Sequence, residues 1–331
     1  MFRPASLVEA WNIGNSQHTE VCSVLDPNPR ILHPNALCMN PSTSAFNEYS
    51  TIRRIALRTP EEAFQGQQRI DEQWKRLHYT SKPDFETAAE EHRQFREIFV
   101  SEGIELVMIP GSSELFLDSI YVRDSMINTP EGLILASMGK AERTGEPRVS
   151  AKHFESCGFS ILGSIEPPGK IEGGDLVWLD QTRCAVGLGY RTNQEGIRQL
   201  REMLGPKYQV EVCVLPHQQG PEGVFHLMSI LSPLDHDLML AYSPLMAVPF
   251  RQMLVESGIH IIDVPDDEYL RMGCNVLAIA PRKCLMLEGL PKTKSLLEEN
   301  GCQVMTYQGR EISEKGEGGP TCLTLPLNRE S

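Results

Sequence analysis

No stretch of this 331-residue sequence approaches the roughly 18 consecutive apolar residues that a membrane-spanning helix needs. Residues 1–20 also lack the uninterrupted apolar core of a secretory signal peptide. The nine cysteines are scattered and never form a CxxC pair, which argues against a disulfide framework and against a zinc site. The sequence therefore predicts a cytoplasmic protein whose thiols stay reduced and which holds no metal.

Positive charge is also in short supply. The chain has 31 Lys and Arg against 44 Asp and Glu, for a net charge of −13. Nucleic acids and anionic membranes bind clustered Lys and Arg, so neither is an expected partner. A cationic small molecule fits this balance better. The composition, 40% hydrophobic and 23% charged, is that of a soluble globular protein.

Residues 1–50 differ from the remainder because Asn, Pro and Ser are frequent, as in DPNPR and HPNALCMNPSTS. This composition predicts a mostly irregular arm with short strands. We interpret the arm as a surface extension, with folding over a pocket as the alternative. Residues 51–331 are expected to form a single domain.

Within that domain one pattern recurs at intervals of about fifty residues. A helical segment ends at a glycine, which suits the left-handed end of a helix, and a β-rich apolar run follows at once. The five glycines are Gly103, Gly158, Gly205, Gly258 and Gly301. Further strand-like runs, such as RRIALR, SIYVRDSMI and CLMLEG, lie between the copies. Each unit is therefore predicted to contain two strands, a helix and one more strand.

The first helix shows the clearest periodicity. Steps of three and four residues place five side chains on one face: Phe85, Ala88, His92, Phe95 and Phe99. Asp84 precedes them and is a suitable N-cap. The sequence thus predicts a helix that begins after Asp84 and buries this face.

Units of this size could not each bury an apolar face alone. We therefore expect an α/β fold in which five ββαβ units stack around an axis as a pseudosymmetric propeller, with their loops converging on a central channel. A single doubly wound sheet is the alternative. It explains the repeat less well, and no GxGxxG segment follows a strand.

Four short polar stretches interrupt the apolar pattern, each at the edge of a strand-like run. They are LDSIYVRD (117–124), KIEGGDLVW (170–178), GVFHLMSIL (223–231) and GEGGPTCLTLPL (316–327). Taken singly, Cys322 could be a core cysteine and His226 a buried structural histidine. Glu172 could belong to a turn, and Arg123 and Asp124 could form a local ion pair. The propeller interpretation predicts that these stretches meet at its centre.

The motifs IEGGD, FHLMS, GYRTNQ (189–194) and GGPTCLTLPL, in this order, resemble the amidinotransferase/arginine deiminase superfamily. The dimethylarginine dimethylaminohydrolase branch is the nearest, and the resemblance runs from Arg53 to the C-terminus. It implies a five-bladed α/β propeller of ββαβ units, which agrees with the repeats. It also implies a catalytic domain that hydrolyses the guanidino group of an arginine derivative without a metal or organic cofactor.

The resemblance implies a role for each motif residue. Cys322 is implied to be the nucleophile, His226 the general acid/base and Glu172 its acidic partner. Asp124 is implied to bind the guanidinium group and Arg191 the substrate α-carboxylate. The substrate-binding set implied in full is Asp124, Asp118, Arg191, Tyr121 and Asp175.

The chemistry of a guanidinium group explains why carboxylates, a cysteine and a histidine are needed together. Paired carboxylates, here Asp124 and Glu172, can fix the planar cation through bidentate hydrogen bonds. A free cysteine titrates near 8.5, so a cation such as protonated His226 or the substrate must favour the thiolate. Attack by Cys322 and protonation of the departing amine would leave a covalent S-amidino intermediate. Water would then release a ureido product such as citrulline, with amine or ammonia as the other product.

Three positions depart from the family patterns. Met228 stands where arginine deiminases carry an aspartate, and an apolar residue suits a substituted nitrogen. Arg123 stands in the characteristic acidic pair of dimethylaminohydrolases. Ser137 falls where animal dimethylaminohydrolases use a second carboxylate-binding arginine, for which Lys140 or Arg143 could substitute. The substrate is therefore left as an arginine derivative or another ω-guanidino acid.

Two alternatives remain open. An amidinotransferase uses the same cysteine, histidine and acid but passes the amidino group to an amine. A non-catalytic scaffold has the same fold in a ribosome-associated factor, but the joint presence of Cys322, His226 and Glu172 argues against it. The expected partner is a small guanidino substrate, and a homodimer would be ordinary for such an enzyme.

Overall fold

The structure, a computed structural model, describes residues 45–330 apart from residues 219, 222 and 224. The predicted irregular arm therefore lies outside the described residues as far as residue 44. Its last part, residues 45–50, contains neither helix nor strand. Backbone hydrogen bonds from Ala45 to Arg329 (2.8 Å) and from Glu48 to Trp178 (3.2 Å) hold this part against the sheets.

Within the described range the strands form five sheets of three strands each. The strands are β1 (Thr51–Leu57), β2 (Glu105–Met108), β3 (Met126–Thr129), β4 (Gly132–Leu135), β5 (Ile161–Ser164), β6 (Leu176–Trp178), β7 (Arg183–Leu188), β8 (Gln209–Val214), β9 (Leu231–Asp235), β10 (Leu238–Ala241), β11 (His260–Asp263), β12 (Leu277–Ala280), β13 (Lys283–Leu287), β14 (Gln303–Tyr307) and β15 (Leu325–Glu330).

The helices connect strands of the same sheet or lie beside them. They are α1 (Pro60–Ala63), α2 (Gln67–Gln73), α3 (Phe85–Ser101), α4 (Glu146–Ser156), α5 (Gln194–Leu204), α6 (Val248–Glu256), α7 (Asp266–Tyr269) and α8 (Pro291–Glu299). Among these described helices, none is long and apolar enough to cross a bilayer.

All of these sheets share one topology. The first strand is antiparallel to the middle strand, and the middle strand is parallel to the third after a helical crossover. Four sheets follow chain order: β3-β4-β5, β6-β7-β8, β9-β10-β11 and β12-β13-β14. The remaining sheet is β15-β1-β2, so the C-terminal strand pairs with the N-terminal one, with Ile55 opposite Pro326. The predicted unit of two strands, a helix and a strand is confirmed.

The predicted helix ends and the first helix are also confirmed. Every glycine of the repeat has a positive φ, between 75° at Gly103 and 83° at Gly158. On α3, the Asp84 side chain accepts a hydrogen bond from the Thr87 amide at 2.9 Å. The face that includes Phe95 is buried, and the Phe95 ring packs against Tyr307 of β14 at a centroid distance of 4.7 Å.

The prediction of a strand over DSIYVRD is wrong. Residues 117–120 and 122–125 form two successive 3-10 turns, and β3 begins only at Met126. The whole segment is buried. The carbonyl groups of Tyr121 and Val122 accept hydrogen bonds from Arg143 Nη2 and Ser125 Oγ instead of from a neighbouring strand.

Candidate active site

The predicted site residues lie in turns that precede the first strand of their sheets. Asp124 lies just before β3, Glu172 and His226 begin the turns before β6 and β9, and Cys322 lies just before β15. Asn275 occupies the corresponding position before β12. Each sheet therefore supplies one polar residue from the same place in its unit.

Hydrogen bonds join these turns in a closed series. The Gly174 amide donates to Asp124 Oδ1 (3.1 Å), and Glu172 pairs with His226. Ser232 at the start of β9 donates to the carbonyl group of Cys274 (2.7 Å). The series closes through Asn275 and Cys322, since the Arg123 amide donates to the Cys322 carbonyl at 3.2 Å. The four predicted stretches therefore meet.

His226 and Glu172 form a short, buried pair at the centre of this series. Their Nε2 and Oε2 atoms are 2.6 Å apart, and His226 Nδ1 lies 3.9 Å from Asp124 Oδ1. Gly174 is required here, because a Cβ at this position would lie 2.9 Å from His226 Nδ1 and 2.6 Å from Asp124 Oδ1. Gly174 of the EGGD motif thus lets the turn approach the histidine ring closely, while Gly173 lets it approach the carbonyl group of Arg123.

The surrounding charges determine the protonation state of this pair. Burial by itself would lower the pKa of His226, but Asp124, Glu172 and Asp175 outweigh burial and raise that pKa to about 9. Burial would likewise raise the pKa of Glu172, yet the hydrogen bond and charge of His226 dominate and hold it below its usual value. Near neutral pH the pair is therefore an imidazolium and a carboxylate.

Cys322 is partly accessible, and Asn275 holds its sulfur. Asn275 Nδ2 donates to Cys322 Sγ at 3.2 Å, while Asn275 Oδ1 accepts from the amide (3.0 Å) and the hydroxyl (2.8 Å) of Thr321. Burial, and then the charge of Asp124, raises the pKa of the Cys322 thiol, and the Asn275 hydrogen bond acts in the opposite direction. The free site therefore favours the neutral thiol.

Tyr121 supports the glycine-rich segment that leads to Cys322. Its buried hydroxyl donates to the Ile312 carbonyl at 3.1 Å. A Cβ at Gly318 would lie 2.3 Å from the Tyr121 ring, so the backbone passes directly over the ring. These contacts of Tyr121 hold the segment in place.

Lys140 and Arg143, whose positions the sequence did not indicate, contact two aspartates that are predicted to bind the substrate. Lys140 Nζ is 2.6 Å from Asp118 Oδ2, and Arg143 Nη1 is 2.5 Å from Asp124 Oδ2. Arg143 is further fixed by Glu146, to which its Nε and Nη2 donate at 2.8 Å each. Arg143 therefore orients Asp124, while Lys140 lies closer to the surface and faces Asp118.

Arg191 and Asp175 adjoin the histidine pair. Arg191 Nη1 lies 3.4 Å from both oxygens of Glu172, and its Nη2 donates to the Gly223 carbonyl at 3.3 Å. Asp175 is fully buried, accepting from the Leu227 amide (2.9 Å) and from the Thr192 hydroxyl (2.6 Å). Its hydrogen bonds thus hold the turn that follows His226, and burial raises its pKa to about 6.

Two groups in the described part of the chain have potential metal-ligand atoms within 4.8 Å of one another: Asp124, Glu172 and His226, and Asp235, His236 and Asp237. In the first group the carboxylates already face the guanidinium groups of Arg143 and Arg191. In the second, Arg282 contacts both aspartates, at 2.8 Å and 2.7 Å. Arginine thus supplies positive charge at both groups, which disfavours a divalent metal ion.

Sequence reasoning missed Asn275, Arg143 as the partner of Asp124, and Lys140 as the partner of Asp118. Asn275 could have been found from the repeat, because it precedes β12 and lies about fifty residues after His226 and about fifty before Cys322. Arg143 and Lys140 carry no such signal. They follow β4 in a connection whose path depends on packing.

Comparisons with known proteins agree with this fold. A family profile described as N,N-dimethylarginine dimethylhydrolase, eukaryotic, matches residues 59–329. The Bacillus subtilis protein YkgA is 29% identical over 287 residues, covering 87% of this chain and 96% of YkgA. The N(G),N(G)-dimethylarginine dimethylaminohydrolase of Pseudomonas aeruginosa is 26% identical over 247 residues, covering 75% of this chain and 91% of that enzyme.

A solved structure of the Pseudomonas aeruginosa enzyme, a cysteine-to-serine variant complexed with citrulline, superposes with a TM-score of 0.67 at 23% identity. The superposition covers 83% of this chain and 99% of that one, and it establishes the likeness of fold. Fold and relatives together define the class of this protein, a hydrolase that acts on carbon–nitrogen bonds of amidines. Within that class, the chain belongs to the eukaryotic N,N-dimethylarginine dimethylhydrolase family.

Proposed function

We propose that this protein hydrolyses the guanidino group of a modified arginine, with dimethylarginine as the leading substrate, through a covalent intermediate on Cys322. The observation that carries the proposal is the 2.6 Å pair of protonated His226 and Glu172, joined by hydrogen-bonded turns to the segment that carries Cys322. A general acid/base and a nucleophile are the groups that this chemistry requires.

The arrangement of the sheets supports a propeller. We infer that the five sheets surround a pseudo-fivefold axis, because equivalent turns of successive sheets are joined in a closed series and β15 pairs with β1. Residues 51–331 would then form one catalytic domain, with its site on the axis. We also propose that the protein acts in the cytoplasm, where a catalytic thiol stays reduced.

The substrate guanidinium would lie between the carboxylates and the sulfur. Asp124 and Glu172 already bind protein groups, so each would share its remaining acceptor capacity with the substrate cation. Because the pKa of Cys322 is raised in the free site, the positive charge of the bound substrate is what favours the thiolate. Binding and activation of the nucleophile are thereby coupled.

The first half of the reaction forms the covalent intermediate. The Cys322 thiolate attacks the guanidinium carbon, and the resulting tetrahedral adduct collapses as its bond to the departing amine breaks. His226, an imidazolium near neutral pH, gives that amine its proton. An S-amidino group remains on Cys322, and Glu172 stabilises the histidine in the orientation needed for the next step.

The second half returns the enzyme to its starting state. His226, now neutral, takes a proton from water as that water attacks the S-amidino carbon. The carbon–sulfur bond then breaks, the hydroxyl proton of the adduct passes to the departing sulfur, and the ureido product leaves Cys322 as the thiol of the free site. Asp175 positions His226 in both halves, because it holds the amide of the adjoining Leu227.

The amino-acid end of the substrate would meet the charged groups at the edge of the site. We propose that Arg191 binds the α-carboxylate and that Asp118 binds the α-ammonium group. Lys140 Nζ, 2.6 Å from Asp118, would have to move toward the carboxylate as the ammonium group arrives. Tyr121 contributes by supporting the segment before Cys322 rather than through its engaged hydroxyl.

Turnover of candidate substrates tests the proposal. The protein is incubated with dimethylarginine, monomethylarginine, arginine and agmatine while ureido product and released amine or ammonia are measured. We expect Cys322→Ala to abolish product formation without changing the fold measured by circular dichroism. Cys157→Ala is the matched control, because Cys157 is also partly accessible but follows α4. Full activity in Cys322→Ala would refute the mechanism.

The same assay separates hydrolysis from transfer. If an added amine such as glycine becomes amidinated while ureido product appears only in traces, the protein is an amidinotransferase. A covalent adduct of amidino mass on the Cys322 peptide, trapped by rapid acid quench, is expected in either case. Its absence during turnover would exclude both versions of the covalent mechanism.

A further inference from the structure

A cluster of buried charged groups lies behind the carboxylates of the site. Glu146, the first residue of α4, is 0% exposed, and so is Arg58, which follows β1. Arg143 lies between Glu146 and Asp124 and is 4% exposed. Taking charges out of water is costly, so a buried cluster of this kind has to be compensated by its own geometry.

Glu146 fixes the plane of the Arg143 guanidinium group. Its Oε1 and Oε2 accept from Arg143 Nε and Nη2 at 2.8 Å each, a bidentate arrangement with a defined geometry. Arg143 Nη1 is left, and it lies 2.5 Å from Asp124 Oδ2. The other oxygen of Asp124, Oδ1, faces His226 Nδ1 at 3.9 Å. A continuous series of contacts therefore leads from Glu146 to His226.

Arg58 adds a second positive charge to the cluster and ties its parts together. Its Nη1 donates to the Ser119 carbonyl at 2.6 Å, and its Nη2 donates to Ser150 Oγ of α4 at 3.3 Å. Burial lowers the pKa of Arg58 to about 10, so the group is still charged near neutral pH. Burial raises the pKa of Glu146 above its ordinary value, and the charges of Arg143 and Arg58 oppose that rise. Glu146 thus has two cations to balance.

The charges of this cluster determine what Asp124 can offer to a substrate cation. The two arginines are balanced by Glu146 and Asp124, so the cluster as a whole is neutral. With Glu146 in place, Arg143 already has a carboxylate of its own, and the charge of Asp124 stays available. Without Glu146, the whole charge of Arg143 would act on Asp124, at a contact of 2.5 Å in a dry interior.

We propose that Glu146 is a positioning residue of the reaction site, which acts through Arg143 to keep Asp124 oriented and negatively charged toward the substrate guanidinium. This role rests on the proposed function, because that reaction brings a cation to Asp124. Burial lowers the pKa of His226, and among the charges that raise it Asp124 has the largest effect. The loss of Glu146 should therefore be felt in two places, in substrate binding and in the titration of His226.

Kinetics with dimethylarginine and NMR titration of the His226 ring, both on the full-length protein, test this role. In Glu146→Gln we expect KM to rise about tenfold, roughly the loss of one charge-assisted hydrogen bond. The value of kcat should fall less, because the weakened contact with the guanidinium group already exists in the bound substrate. The pKa of His226 should fall below about 9, since Arg143 then cancels more of the charge of Asp124.

Further variants separate positioning from a merely structural role. Glu146→Gln leaves Arg143 buried without its partner and can fail to fold, whereas Glu146→Asp keeps the charge at a shorter reach and should cause smaller shifts in the same directions. In an Arg143→Gln background, replacing Glu146 by Gln should change KM and the His226 titration much less than it does in the natural protein. Glu114→Gln is the matched control, because Glu114 pairs with Arg148 of α4 at the exposed surface, and it should change neither quantity.

The results that overturn this role differ from those that overturn the reaction. If Glu146→Gln, or Glu146→Asp where the first variant does not fold, keeps the KM and the His226 titration of the natural protein, the role is refuted and the proposed reaction stands. Equal effects with and without Arg143 also refute it, since Glu146 then does not act through that arginine. If the natural protein does not turn over dimethylarginine, the reaction fails for that substrate, while the His226 titration still decides whether Glu146 acts on the site.

Discussion

Asn275 is the residue whose replacement tests the site most directly. Its Nδ2 donates to Cys322 Sγ at 3.2 Å, and its Oδ1 fixes the neighbouring Thr321. Replacing Asn275 by Ala removes the donor to the sulfur and leaves the other charges around Cys322 unchanged. We expect the pKa of Cys322 to rise above its already raised value, because a hydrogen bond to the thiolate favours the charged form.

The size of the effect follows from the kind of hydrogen bond. A hydrogen bond to a charged group contributes about 1.5–3 kcal/mol, and one pKa unit corresponds to about 1.4 kcal/mol. The expected rise is therefore about one to two pKa units. Only the thiolate reacts with an alkylating reagent, so below that pKa the alkylation rate should fall roughly 10- to 100-fold.

The assay is the pH dependence of iodoacetamide alkylation, followed at the Cys322 peptide by mass spectrometry. Peptide resolution is needed because the chain has nine cysteines. Asn128→Ala is the matched control. Asn128 donates to the carbonyl groups of Pro326 and Leu327 on β15, so its loss loosens the same strand without touching the sulfur.

The reasoning is refuted if the Cys322 titration is the same in Asn275→Ala and in the natural protein. It is also refuted if Asn128→Ala shifts the titration equally, since the effect would then come from a loosened strand. A rise confined to Asn275→Ala assigns this residue the role of positioning and activating the nucleophile. Kinetics should agree, with a lower kcat and a pH optimum displaced upward.

Three further predictions concern the pair, a helix cap and a repeat glycine. Glu172→Gln should lower the pKa of His226 from about 9 toward the ordinary histidine value of 6.5, measured by NMR titration of the ring. Because this pKa is raised in the folded state, His226 contributes its full share of stability below about pH 6.5, and this share is lost as pH rises through about 9. The dependence of stability on pH should therefore flatten in Glu172→Gln. An unchanged pH profile of denaturation in that variant would contradict the prediction. Asp84→Ala should destabilise the protein by about 1 kcal/mol in urea unfolding through loss of the α3 cap, whereas equal loss in the exposed control Glu86→Ala would argue against capping. Gly301→Ala should lower stability by about 1–2 kcal/mol through its φ of 81° alone, because a Cβ there meets no atom within 4 Å; an unaltered melting temperature would refute that account.

The repeat was predictable because its signals are local. A glycine at the end of each helix and an apolar run after it depend on neighbouring residues only, and the predicted units are confirmed around Gly103, Gly158 and the other copies. The face of α3 was predictable for the same reason. The segment DSIYVRD was not, because its apolar residues favour a strand locally while its buried aspartates and arginine require partners from distant turns.

The candidate site likewise contains residues that sequence motifs predict and one residue that only the structure identifies. Motifs at Glu172, His226 and Cys322 mark the chemistry, and their resemblance to a known family indicates which residues belong together. Asn275 follows the same interval, yet an isolated asparagine in GCNVLAIA has no signal of its own. Its importance becomes visible only when its Nδ2 is seen against the sulfur.

The amino-acid sequence by itself predicted the helices that end at the repeat glycines, most of the strands and the groups that we propose to react, since these depend on periodicity and side-chain chemistry. Only the tertiary structure decided which charges face one another. It placed Arg143 on Asp124, Lys140 on Asp118 and Asn275 on Cys322. The reason is physical: a charge acts over a few ångströms of space, and that distance is unrelated to separation along the chain.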